Sequence, residues 1–213
     1  MLSDKLCVEI ENTIKLFLLS DISLKKDMMN AEKNKEVGHA LSSRIEELVY
    51  DILDKKLKIN ITFDIHKNGT KKGEKRDRSL ADGKINNHLS NVKFGVNLGQ
   101  PNMCSMRKIF DEVFDKKGMD SYYIIWIKYM DSNFNVKVFD LLSNFDFITY
   151  NDGPGQIMLK EHEFFKNINK VKCNDRKSSL IEKRSKFFDL YESKVNSLIN
   201  SRQLDVEKRR IKA

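Results

Sequence analysis

Residues 80–97 read LADGKINNHLSNVKFGVN, two short strand-like runs joined by a polar turn. The first run carries one carboxylate, Asp82, and the second carries Lys93 eleven positions later. Two strands meeting at a tight turn can aim both side chains at one point. A carboxylate and an ammonium that converge there can hold a divalent cation and stabilise or activate an attacking water, the chemistry of metal-dependent phosphodiester cleavage. The residue two before the lysine, where a second acidic ligand is wanted, is Asn91. Its amide oxygen can coordinate magnesium but brings no negative charge.

Working outward, residues 57–66 (LKINITFDIH) alternate Ile59, Ile61, Phe63 and Ile65 with polar neighbours, as a half-buried strand does. Before them, residues 38–56 set Leu41, Ile45, Leu48, Val49, Ile52 and Leu53 on one helical face, with Glu46 at its edge. Between strand and hairpin lies the most basic loop of the chain, residues 67–79, with Lys67, Lys71, Lys72, Lys75, Arg76 and Arg78 against Glu74 and Asp77. Such a run is a solvated loop or a phosphate-binding one.

Beyond the hairpin, residues 99–118 carry helix signals: Pro101 and Asn102 to start, a Met106, Ile109, Phe110, Val113 and Phe114 stripe, and Gly118 to stop. SYYIIWIKYM, residues 121–130, reads as a strand covered on both faces. Residues 134–142 form its neighbour, and short strands follow at 147–150 and after the Gly-Pro-Gly turn. At the chain start, residues 2–20 make an apolar helical stripe, and 21–36 read as a polar connection. From Glu161 the chain is helical again, with a long segment over 178–212. Such a tail can pack on the domain, line DNA or pair with a second subunit.

The chain has 213 residues, enough for one domain with a core that needs no covalent staples. The expected organisation is an N-terminal helical arm (1–36), a core (37–165) and a C-terminal helical segment (166–213). Net charge is +8 with 33% charged residues, a balance that favours polyanions, nucleic acid first and anionic membrane second. Cys7, Cys104 and Cys173 are odd in number and far apart, and read as buried or free thiols in a reducing compartment. No apolar run is long enough to span a membrane, and acids interrupt the first apolar positions as a secretory signal does not allow. A cytoplasmic protein is the expectation.

The succession after residue 36 is helix, three strands, helix, two strands, with the carboxylate on the second strand and the lysine on the third. In that order, and in GHALSSRIEELV, ADGKI, SNVKFG, GQPNM and more faintly GPGQIMLK, the chain resembles the PD-(D/E)xK nuclease superfamily, and within it the type II restriction endonucleases. The resemblance covers roughly residues 36–165. It implies an α/β (α+β) fold, a mixed central sheet flanked by helices. It makes Asp82 the acidic metal ligand, Lys93 the lysine that orients the attacking water, and Glu46 the helix glutamate that touches the metal through water. Asn91 departs from the pattern, which has Asp or Glu there. Glu46 is the first candidate to compensate, Asp64 the second, and Glu74 or Asp77 weaker ones. Mg2+ is the implied cofactor, with Asp82, Asn91 and Glu46 as its ligands.

Cutting both strands at one site favours a homodimer on duplex DNA. The expected DNA contacts are Lys71, Lys72, Lys75, Arg76 and Arg78 of the basic loop, His88 at the hairpin turn, Gln100, Asn102, Ser105 and Arg107 after it, and Gln156 of the last strand. Met28, Met29 and Met103 are wedges between bases or ordinary core and surface residues. His39, His66, His88 and His162 lack metal-ligand spacing, and neither a GxxxxGK[ST] loop nor a GxSxG elbow is present. Two other functions fit the same residues: a non-catalytic DNA-binding module on a degraded nuclease fold, suggested by Asn91, and a repair nuclease guided by DNA structure.

Overall fold

The computed structural model describes residues 1–34, 39–63, 82–116, 118–151 and 155–211. Helix α1 (Asp4–Ser20) starts where the Ser3 hydroxyl accepts the Leu6 N–H, and buries Cys7, Ile10, Ile14 and Leu18 at helical spacing. Asp21 ends it and opens the next helix, its carboxylate accepting the Leu24 N–H at 2.9 Å. That helix, α2 (Ile22–Asn34), replaces the expected polar connection. The reason is legible afterwards: Leu24, Met28 and Ala31 recur at i, i+4 and i+7 and are buried, with neither Gly nor Pro to stop them. Helix α3 (His39–Lys56) follows as expected, burying Ile45, Val49, Tyr50, Ile52 and Leu53.

The central sheet has the order β1-β2-β3-β5-β6. Strands β1 (Ile61–Phe63), β2 (Gly83–Ile85) and β3 (His88–Val96) pair antiparallel, β5 (Tyr123–Met130) lies parallel to β3, and β6 (Asn133–Asp140) runs antiparallel to β5. Asn86 and Asn87 turn β2 into β3 with φ of 47° and 68°. Positive φ at both central residues is the primed turn that matches strand twist, and Asn tolerates it.

Strand β5 is buried on both faces. Tyr123, Ile125, Ile127 and Tyr129 join the core under α1, α2 and α3, whereas Ile124 and Trp126 join a second core on the other face. A second, three-stranded sheet covers that other face, ordered β4-β8-β7 from β4 (Asn102–Ser105), β7 (Ile148–Tyr150) and β8 (Gln156–Leu159). Here the expected helix over 99–118 is corrected. Residues 102–105 form a strand paired with β8, and the helix begins only at α4 (Met106–Lys108), continuing as a π-helical segment, Ile109–Lys116. Pro101 and Asn102 suit the start of an edge strand as well as a helix start. Met28 and Met103 are core, and Met29 is exposed.

After β8 come α5 (Glu161–Lys166) and the 32-residue α6 (Leu180–Ile211). At 1.5 Å per residue α6 is about 48 Å long. Its first turns are anchored by Phe187 in the second core and by Lys183, a residue 1% exposed whose ammonium is 2.7 Å from the Asp120 carbonyl and 3.1 Å from the Asp140 carboxylate. Asp140 also accepts the Tyr122 N–H, the Leu142 N–H and the Ser143 hydroxyl. Cys7 and Cys173 are joined as a disulfide that ties α1 to the segment before α6. This corrects the expectation of three unpaired thiols: the two cysteines are buried as foreseen, but bonded, and only Cys104 remains a thiol. A pairing 166 residues apart in sequence is a tertiary fact that spacing does not reveal. Among the described residues, no helix is long and apolar enough to cross a membrane.

Candidate active site

Asp82 sits one residue before β2. Its backbone N–H donates to the Ser90 carbonyl at 3.0 Å, and its Oδ2 accepts the Val92 N–H at 3.0 Å. The ladder ends at Gly83, which pairs with Ser90, so Asp82 stands just beyond it, tied to β3 by its N–H to Ser90 and its carboxylate to Val92. Asn91 and Lys93 are two apart on β3 and therefore share a face. The hairpin thus brings Asp82 within electrostatic reach of Lys93. Burial holds the Asp82 carboxyl above its ordinary range, and the Lys93 ammonium and the Val92 N–H pull it only part of the way back.

Asn91 is 6% exposed, and its Oδ1 has no hydrogen-bond partner among the described residues. A buried acceptor left unpaired costs about 1–3 kcal/mol. The Asn91 amide stands beside the Tyr122 phenol and works against the burial that raises it. Tyr122 is fully buried, and burial first, with the Asp82 carboxylate acting in the same direction, pushes its phenol well above the ordinary range. The Cys104 thiol is likewise pushed up to about 12 by burial, against the pull of Lys93.

On the α3 side of the sheet, the Tyr50 hydroxyl lies 2.9 Å from Ser90 Oγ. Burial first, then the Asp82 carboxylate, push its phenol up, and Glu46, one helical turn earlier, acts in the same direction. Glu46 is half-buried on α3, near enough to Tyr50 for its charge to act on that phenol. A Cβ on Gly83 would lie 2.7 Å from the Thr62 carbonyl oxygen and 2.9 Å from Tyr50 Cε1. Only glycine lets the Tyr50 ring close against β2 beside Asp82. Gly83→Ala should therefore cost about 1–3 kcal/mol of stability, read as a lower urea midpoint; an unchanged midpoint would contradict the close packing.

Further along the face that carries Lys93, Lys128 of β5 leans over Gly95, where an added Cβ would meet its Nζ at 2.6 Å. Its ammonium is 2.9 Å from Glu161 Oε2 at the start of α5. Glu161 also accepts the Trp126 indole N–H at 2.6 Å and the Gly99 N–H at 2.7 Å, and its own N–H donates to the Gly99 carbonyl. The buried carboxylate so fixes the turn that presents Gln100, which is exposed and lines a cleft of about 570 Å³ with Thr149, Asn151, Lys160 and His162.

The other expected contacts are dispersed. Asn102 and Ser105 lie on β4, with Ser105 paired to Gln156 of β8, and Arg107 is exposed and ion-paired with Asp111 at 3.3 Å. His88 faces the other way, its Nδ1 3.1 Å from Ser121 Oγ and its ring edge-on to Tyr123. Lys71, Lys72, Lys75, Arg76 and Arg78, and the acids Asp64, Glu74 and Asp77, lie outside the described residues. Sequence reading missed Tyr50, Ser90, Cys104 and Tyr122. Tyr50 alone carried a signal, standing four residues after Glu46 on one helical face.

Among the described residues, no group of three His, Cys, Asp or Glu could hold a metal ion. No family model matches the chain, and no curated protein matches it.

Proposed function

We propose that the chain is a nuclease of the PD-(D/E)xK class, a Mg2+-dependent enzyme that hydrolyses phosphodiester bonds. Within that class the reading is a type II restriction endonuclease that cuts duplex DNA at a specific sequence as a homodimer in the cytoplasm. The observation that carries it is the hairpin, which ties the Asp82 carboxylate to the Val92 N–H beside Lys93, with Asn91 two residues before that lysine on the same strand face.

The residues fit a divalent cation. Asp82 Oδ2 is used by the Val92 N–H, and the carboxylate's other oxygen accepts no hydrogen bond among the described residues. The unpaired Oδ1 of Asn91 is a buried oxygen that an ion would satisfy. Asp82 and Asn91 would hold it, with Glu46 reaching it through water. When bound, the cation supplies charge neutralisation at the phosphate and polarises a water. Asp82 is displaced from its ordinary pKa range by burial, a cost that a bound cation offsets. The Lys93 ammonium orients the attacking water and stabilises the charge that develops on the phosphoryl oxygens. Glu161, through Gly99, fixes the turn from which Gln100 meets the DNA. The net charge of +8 favours the polyanion, and two copies related by a two-fold axis present one site to each strand. The thiol argument for a cytoplasmic setting no longer extends to Cys7 and Cys173, so that part of the proposal rests on where the substrate lies.

Incubation of the purified chain with plasmid and Mg2+ should give discrete fragments whose sequenced ends share one site. Scattered ends at junctions or flaps would instead identify a structure-guided repair nuclease. A second reading is favoured by the neutral Asn91: a non-catalytic DNA-binding module on the same fold. It predicts salt-sensitive binding with no cleavage in Mg2+ or Mn2+, and none regained in Asn91→Asp.

A further inference from the structure

Helix α6 carries two apolar stripes. One holds Phe187, Leu190 and Tyr191 against the second core. The other begins at Phe188 and continues outward through Val195, Ile199 and Val206, with Glu192 and Arg202 in the two places between. Steps of four, three, four, three and four residues set these six on one face of the helix, at the spacing of a coiled-coil seam. Phe188, Ile199 and Val206 are 51%, 49% and 50% exposed, and the two charged residues are exposed as well. The stripe is its own complement. Its spacing is symmetric about residue 197, so a second α6 laid antiparallel sets Phe188 opposite Val206, Glu192 opposite Arg202 and Val195 opposite Ile199, each pairing occurring twice. A parallel, in-register pairing would set Glu192 against Glu192 and Arg202 against Arg202. A slip of one heptad in the antiparallel pairing sets Glu192 against Val195 in one direction and Arg202 against Ile199 in the other. Charge therefore selects one orientation and one register.

We propose that this stripe is an interface between two copies of the chain, formed by antiparallel pairing of α6 with α6 across a two-fold axis. The inference rests on the homodimer proposed above and gives it a surface. A nucleic-acid backbone is matched by a row of cations. This row is mostly apolar and its two charges have opposite signs, which suits a self-complementary surface instead. The exposed apolar groups leave water in the dimer, and the two Glu192–Arg202 pairs set the register more than the affinity.

The test is sedimentation equilibrium of the full, DNA-free chain and four variants: Ile199→Glu, Glu192→Arg, Arg202→Glu and the two charge changes combined. Ile199→Glu should weaken dimerisation by roughly a hundredfold or more, because it sets two unpaired carboxylates among apolar groups. Each single charge change should weaken it roughly tenfold by bringing like charges together twice. The combined variant restores opposite signs and should return to within about threefold of wild type. Single charge changes without effect, or a combined variant as weak as the two losses added, overturn this interface and leave the homodimer to another surface. A wild-type chain that stays monomeric at about 100 μM overturns the homodimer as well. Should Ile199→Glu fail to fold, the charge-change series decides alone. Orientation is read separately: chains carrying Glu192→Cys, mixed with chains carrying Arg202→Cys, should oxidise to a mixed disulfide far faster than either variant cross-links by itself, and equal rates overturn the antiparallel pairing.

Discussion

Asp82→Asn should abolish Mg2+-dependent DNA cleavage, by about 10²–10³-fold or more, while raising the melting midpoint of the cation-free chain. The two effects share one cause. Burial holds the Asp82 carboxyl above its ordinary pKa, so its ionised form is less favourable in the folded chain than in the unfolded one. A group whose folded pKa is raised contributes its stability below the unfolded pKa and loses it as pH rises through the folded value. At neutral pH the native carboxylate is therefore a cost. The amide removes that cost and still offers an oxygen to the Val92 N–H. The gain in midpoint should shrink below about pH 4, where the carboxyl is protonated in both states. Mg2+ should raise the midpoint of the wild-type chain and leave that of Asp82→Asn unmoved. A variant that cuts normally, or one less stable than wild type at neutral pH, would contradict the account.

Lys183→Met should be the most destabilising single change in the fold, about 3–5 kcal/mol. The Lys183 ammonium is buried against the Asp120 carbonyl and the Asp140 carboxylate, and together they fasten α6 to the second core. Removing the cation leaves Asp140 buried without its counter-charge. Burial already raises the Asp140 pKa against the pull of Lys183 and of the Ser143 and Tyr122 donors. Without Lys183 the pKa rises further, so the deficit should be largest at neutral pH and shrink as pH falls and the carboxyl is protonated. At about 2–4 °C per kcal/mol for a chain of this size, the midpoint should fall by roughly 10 °C. Adding Asp140→Asn should recover much of the loss, because no charge is then left unpaired. A full-sized loss that persists at pH 4, or no recovery in the double variant, would show that packing rather than charge holds α6.

The hairpin was legible because its signals are local. Asn86–Asn87 is a turn by its own chemistry, and β2 and β3 alternate around it. Helix α3 and strand β5 were legible from apolar period alone. Helix α2 was missed because its buried stripe is only Leu24, Met28 and Ala31, diluted by lysines. The 102–105 strand was missed because its partner β8 lies some fifty residues away, and a ladder is set by both strands. The pairing of Asp82 with Lys93 could be inferred from the hairpin, but the company they keep could not. Tyr122 approaches Asn91 only because β5 lies parallel to β3, and Glu161 reaches Gly99 across 62 residues. Buried polar partners of this kind are fixed by tertiary packing and leave no periodic trace.

The central claim is that one cation sits between the Asp82 carboxylate and the Asn91 amide, beside Lys93. Crystals of the full chain soaked in Mn2+ and measured at the manganese edge test it directly. The account predicts a single anomalous peak within about 2.0–2.6 Å of an Asp82 oxygen and of Asn91 Oδ1. A hairpin with no peak, or with the Asn91 amide nitrogen facing the ion, would contradict it.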